Sequence, residues 1–152
     1  MEAFLPATHV RQVLFLATHS LEAPNHRLAL HYSRQLTYAG QAARMVVLLF
    51  RPEAGTIELD GEASAMVEAP VCVWGEGSIA KHLPRLAQSV ATSPSLAQTP
   101  NPNHRRYFWF HSSLLLWNVT FGHFYPSLRF LWRIEPDVLM AGSHTPRAHK
   151  RM

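Results

Sequence analysis

The sequence predicts an α/β protein with a Rossmann-like, mostly parallel sheet and helices on both faces. Three observations carry that expectation. Residues 12–17 are rich in Val, Leu and Phe and run into the polar Thr18-His19-Ser20, the pattern of a buried strand leaving a sheet. Residues 25–38 follow with Leu28, Leu30 and Leu36 set among His31, Ser33 and Arg34 in helical fashion, and Ala39-Gly40 supplies a stop. Residues 44–50 then hold the apolar run Met45-Val46-Val47-Leu48-Leu49. Strand, helix and strand within residues 12–50 make a βαβ unit, which requires parallel strands with a helix packed across them.

The remaining elements follow in order. Residues 51–70 turn polar and acidic, with a short strand expected over 56–59. Val71-Cys72-Val73-Trp74 reads as a core strand, Gly75-Glu76-Gly77-Ser78 as a turn, and residues 79–90 as a helix that Pro84 must kink or restart. Residues 91–103 contain Pro94, Pro100 and Pro102 among Ser, Thr, Gln and Asn, a loop composition. From Tyr107 to Phe124 the chain is apolar all round, so a helix there is expected to be buried. Tyr125-Pro126-Ser127 breaks it, and Arg129-Phe130-Leu131-Trp132-Arg133-Ile134 alternates like a strand before Glu135-Pro136-Asp137. One domain is expected over residues 1–141, with a basic, flexible tail over 142–152.

Composition narrows the function classes. With 47% hydrophobic and 16% charged residues in 152, the chain has the makings of a packed core. Charge is lopsided: residues 1–102 carry seven Lys/Arg against eight Asp/Glu, and residues 103–152 carry seven against two. The single cysteine, Cys72, excludes an internal disulfide framework and a Cys-rich zinc module. No stretch reads as a membrane span, since residues 107–132 include His111, Asn118, His123, Pro126 and Arg129. The N-terminal apolar run lacks a signal-peptide cleavage pattern.

The motif richest in chemistry is the strand that ends in two carboxylates. Glu135 and Asp137 follow a hydrophobic strand directly and so belong at the sheet's C-terminal edge, where open α/β folds bind ligands. Two carboxylates one residue apart can hold a hard divalent cation such as Mn²⁺ or Mg²⁺, and such an ion neutralises charge on a diphosphate. A solvated turn is the alternative for the same residues. Arg133 is placed to balance their charge, although as a neighbour of Glu135 along the strand it is expected on the opposite face.

Tyr125 to Val138, and Trp132-Arg133-Ile134-Glu135-Pro136 in particular, resembles the metal-site segment of GT-A fold glycosyltransferases. Among these it is most similar to the fungal α-1,2-mannosyltransferase family. The resemblance implies that Glu135 binds the manganese that holds a nucleotide-sugar diphosphate, with Asp137 where many GT-A enzymes place the last aspartate of Asp-x-Asp. It implies a nucleotide-sugar donor, transfer of the sugar to a hydroxyl acceptor on a glycan or protein, and Golgi-lumenal or membrane-associated relatives. The loop after the first strand lies against the nucleotide in such folds, which makes Thr18 and His19 candidate nucleotide-binding residues. The sequence ends fifteen residues after Asp137, so the expected match is to a partial GT-A domain, its nucleotide-binding half. A non-catalytic α/β binding or interaction domain is the alternative.

Other motifs read more plainly. Gly75-Glu76-Gly77-Ser78-Ile79-Ala80 fits G-x-G-x-x-A, but no Asp or Glu stands between Glu76 and Glu135 to hold a ribose, so a turn and helix cap is the better reading than a dinucleotide site. His104, His111 and His123 fit no short metal-ligand spacing, and His111 is expected in the core or on a backbone carbonyl. No Lys or Arg lies between Phe108 and His123, so the aromatics there read as core and not as a base-stacking surface. No nucleic-acid partner is expected. The sequon Asn118-Val119-Thr120 falls on the helix expected to be buried and is expected unused. No G-x-S-x-G elbow is present, and Cys72 inside an apolar strand is expected to be inert.

Overall fold

A computed structural model describes residues 7–38, 42–94 and 102–136. The first apolar run forms β1 (Gln12–Thr18), followed by α1 (Asn25–Tyr38) and β2 (Ala43–Phe50). Then come β3 (Glu58–Leu59), α2 (Gly61–Val67) and β4 (Val71–Trp74). The second half consists of α3 (Glu76–His82), α4 (Pro84–Thr92), α5 (Pro102–Phe121), a 3₁₀ turn (Gly122–Phe124) and β5 (Phe130–Ile134).

The sheet has five strands in the order β3-β4-β2-β1-β5, and only β3 runs antiparallel to its neighbour. The four parallel strands therefore grow outward from β1, first through β2 to β4 on one side and then to β5 on the other. This is the doubly wound α/β arrangement the sequence predicts.

Alternation along β1 sorts the two cores. Val13, Phe15 and Ala17 face a layer made by α3, α4 and α5, where Ile79, Val90, Leu116 and Trp117 close over them. Leu16 faces α1 and α2 with Met45, Val47 and Leu49, against Leu28, Ala29, Tyr32 and Val67. Each fully buried side chain of this size is worth about 1.5–3 kcal/mol, so burial on both faces supplies the driving force for the sheet. Aromatic edges lock the first layer: Trp117 meets Phe15 at 4.9 Å between ring centres and Tyr125 at 5.3 Å. Burial pushes the Cys72 thiol up to about 12, as expected of an inert core cysteine.

Three local expectations are corrected. The polar stretch after β2 contains a helix, α2, started by Asp60, whose side chain accepts from the Ala63 N–H at 2.9 Å. The stretch 75–78 is not a turn throughout, because α3 already begins at Glu76, while Pro84 restarts the chain as a separate helix as expected. Finally, α5 is not buried all round. Ser112, Ser113, Leu116 and Trp117 are buried, while Leu115 and Val119 are 56% and 55% exposed and Asn118 of the sequon is exposed beside them. An even apolar composition cannot say which side of a helix meets the sheet. No described helix is long and apolar enough to cross a membrane. The tail over 142–152 lies outside the described residues.

Candidate functional site

The order of strands reverses between β1 and β5, and in open α/β sheets the C-terminal ends of the strands at such a switch point are where ligands bind. Register fixes what stands there. Leu16 is level with Ile134, so Thr18 and His19 on one strand end stand beside Glu135 and Pro136 on the other. The sequence-predicted residues Thr18, His19 and Glu135 thus lie at the ends of adjacent strands. Asp137, the second predicted carboxylate, lies outside the described residues.

Thr18 is 1% exposed, and its hydroxyl is fully engaged. It donates to the Ser20 carbonyl at 2.9 Å and accepts from the Asn25 side-chain amide at 3.0 Å and the Ser20 N–H at 3.2 Å. One donor and two acceptor positions exhaust a hydroxyl. Thr18 therefore shapes the β1–α1 loop and ties it to the first residue of α1. His19 is exposed, and its carbonyl accepts from the Arg51 guanidinium at 3.1 Å. Arg51 follows β2, so a cation from the neighbouring strand is fastened across the loop.

On β5, Arg133 and Glu135 are ion-paired at 2.9 Å between Nη2 and Oε1, with side chains 15% and 40% exposed. This overturns the expectation that they point apart: residues two apart on a strand share a face. Arg133 Nη1 also lies 2.8 Å from His111 Nδ1 on α5, while its buried Nε has no hydrogen-bond partner among the described residues. His111 is exposed and joined to β5, neither in the core nor on a carbonyl alone as the sequence suggests. The His111–Arg133–Glu135 cluster was missed by the sequence reading, although the two-residue spacing of Arg133 and Glu135 was a usable signal. The pairing of α5 with β5 left none.

Glu135 Oε1 is taken by Arg133, and no group of three or more His, Cys, Asp or Glu side chains gathers among the described residues. Arg133 occupies Oε1 alone, so the second carboxylate oxygen of Glu135 keeps acceptor capacity for a cation.

The glycine motif has a packing explanation. A Cβ on Gly75 would lie 2.3 Å from the Arg51 carbonyl oxygen and 2.6 Å from that of Ala54, and one on Gly77 would lie 3.0 Å from Gly55 Cα. The loop after β2 occupies the place where a dinucleotide's phosphates would approach. The Gly75 N–H donates to Ser78 Oγ at 3.1 Å, which is the helix cap expected. The side chains of Tyr107, Phe108, Trp109 and Phe110 lie outside the described ones, while Trp117 is buried as core.

A cavity of about 560 Å³ lies at the opposite end of the sheet, lined by His9, Ser33, Arg44, Ser64 and Glu68 among others. It contains none of the predicted site residues. No family model matches this sequence, and no curated protein or solved structure matches the chain, so its site is read from its own geometry.

Proposed function

We propose that this chain is a glycosyltransferase-like nucleotide-sugar-binding domain with its donor seated at the C-terminal ends of β1 and β5. The observation that carries the reading is the reversal of strand order there, which sets His19 and Glu135 on adjacent strand ends. The resemblance of residues 132–136 to the GT-A metal segment supports it. Arg51, held over the β1–α1 loop, is a cation suited to a diphosphate. The N-terminus of α1, which has no acidic side chain in its first turn, adds a favourable dipole.

In the reaction proposed, the bond from the anomeric carbon to the diphosphate oxygen breaks and one to the acceptor hydroxyl oxygen forms. The diphosphate leaves with the electron pair, and the proton of the acceptor hydroxyl passes to the departing diphosphate or to water. A Mn²⁺ or Mg²⁺ ion, held by Glu135 and Asp137, would offset charge on that leaving group. The ion pair already held by Glu135 Oε1 favours a second reading, a binding or interaction domain without catalysis.

Calorimetric titration with nucleoside diphosphates, with and without Mn²⁺, tests both readings on the wild type and on folded Glu135→Gln and Asp137→Asn variants. Metal-dependent binding lost in both variants supports the transferase-like donor site. Binding that needs no metal and survives both substitutions supports the binding domain. A folded wild type that binds neither metal nor nucleotide overturns the transferase-like reading and leaves a non-catalytic interaction domain.

A further inference from the structure

We propose that β5 is the seam of a two-fold homodimer in which β5 strands of two copies pair antiparallel about Trp132. Among the described residues β5 pairs on one side only, with β1. It is a five-residue parallel-sheet edge, and three of its side chains, Phe130, Leu131 and Trp132, are 54%, 41% and 54% exposed. Exposed apolar edges of this kind pair with other strands unless charge, proline or shortness guards them. The opposite edge, β3, is guarded by being two residues long. On β5 the one charged side chain inside the strand, Arg133, is folded back onto Glu135 and His111 and does not guard it.

The strand is complementary to itself in one register. The Phe130 N–H donates to the Arg11 carbonyl at 3.1 Å, so by alternation Phe130, Trp132 and Ile134 turn their backbone groups toward β1. Leu131 and Arg133 turn theirs outward. A two-fold at Trp132 sets Leu131 opposite Arg133 of the second copy, outward groups against outward groups, as an antiparallel ladder requires. It also sets Phe130 opposite Ile134, and the exposed Arg129 opposite Glu135. A two-fold at Leu131 sets Arg129 against Arg133, and one at Arg133 sets that arginine against itself. A two-fold between residues opposes inward and outward groups. Hydrogen-bond parity therefore places the two-fold on a residue, charge selects Trp132 over Leu131 and Arg133, and an interface on the same patch of both copies closes on itself. A second copy is the occupant that meets both conditions.

Sedimentation equilibrium over a wide concentration range should give twice the 17.2 kDa chain mass, returning to single mass in Trp132→Lys. Position 132 is exposed, so the substitution is compatible with folding, which circular dichroism checks. Register is tested by cysteine pairs under a mild oxidant. Trp132→Cys faces its own copy at the close Cα separation of a non-hydrogen-bonded pair, about 4.5 Å, within disulfide reach. It should cross-link chain to chain, whereas Phe130→Cys, opposite Ile134, should not. Cys72 is buried and does not interfere. A wild type that stays monomeric at every concentration overturns the proposal, whatever else then covers the edge. A dimer in which Trp132→Cys fails to cross-link, or Trp132→Lys still associates, overturns it as well.

Discussion

Leu16 on β1 is level with Ile134 on β5, and both are buried in the same core beneath α1. That pairing brings the first and the last described strands together, and both deliver the residues that follow them to the same edge of the sheet. Burial of Leu16 and Ile134 holds the register, because a one-residue slip would turn Ile134 out and the exposed Trp132 face with it. The position of Glu135 beside His19 is thus a consequence of core packing, and a site there inherits the rigidity of the sheet.

Arg133 and Glu135 are coupled at that strand end. Both are partly in solvent, so their mutual stabilisation is expected to be about 0.5–1 kcal/mol. A double-mutant cycle with Arg133→Met and Glu135→Gln, read by urea unfolding, should return a coupling in that range. A coupling near zero would leave Glu135 free to turn toward a cation. A much larger one would make the pair structural.

Thr18 is expected to act through its loop. Thr18→Val keeps the shape but strips a hydrogen bond from the Asn25 amide and from the Ser20 N–H, at a cost of about 1–3 kcal/mol. Thr18→Ser keeps the hydroxyl and should cost about 1 kcal/mol for the lost methyl. Thermal unfolding distinguishes them, and faster amide exchange over residues 19–25 should accompany Val only. If Ser and Val destabilise equally, packing and not the hydroxyl holds the loop.

Much of this fold was legible because the four parallel strands are apolar runs bounded by polar turns, and α1 lies between the first two. What escaped did so for physical reasons. α2 is short and built of Gly, Glu, Ala and Ser, so it shows little periodicity, and only the Asp60 cap advertised it. α5 has apolar residues on every side, so its composition concealed that Leu115 and Val119 face outward. In the site, the strand-end positions of Thr18, His19 and Glu135 followed from element order. The contact of His111 with Arg133 joins residues on different elements and left no trace in local pattern.

Cys72 supplies a pH prediction. Its thiol is raised from 9.0 to about 12 by burial, so between those values the unfolded chain releases a proton that the folded chain keeps. Stability contributed by this group is therefore unaffected below pH 9 and falls as pH rises above it, with a slope approaching about 1.4 kcal/mol per pH unit. Burial also raises the Tyr125 phenol, which adds to the decline at higher pH. The difference in unfolding free energy between wild type and Cys72→Ala isolates the thiol: it should be constant from pH 7 to about 9 and shrink beyond. A difference that stays flat through pH 10 would show that the thiol is not held protonated by the fold.

Gly75 and Gly55 separate packing from conformational freedom. Gly75 has an extended backbone, φ −148° and ψ −175°, which any residue adopts, so its requirement is space alone. Its absent Cβ leaves room for the Arg51 and Ala54 carbonyls, both main-chain atoms that cannot rotate away. Gly75→Ala must push back the loop after β2 and is expected to cost about 1–3 kcal/mol. Gly55→Ala meets nothing within 4 Å and should change stability little. The loop displaced by Gly75→Ala carries Arg51, whose guanidinium holds the His19 carbonyl, so the strain travels to the end of β1. Amide exchange at His19 and Ser20 should therefore quicken in Gly75→Ala and stay unchanged in Gly55→Ala. If both variants are equally stable, the loop is free to yield and the two glycines serve no packing purpose. If Gly75→Ala is destabilised but exchange at His19 is untouched, Arg51 does not transmit the loop's position to the candidate site.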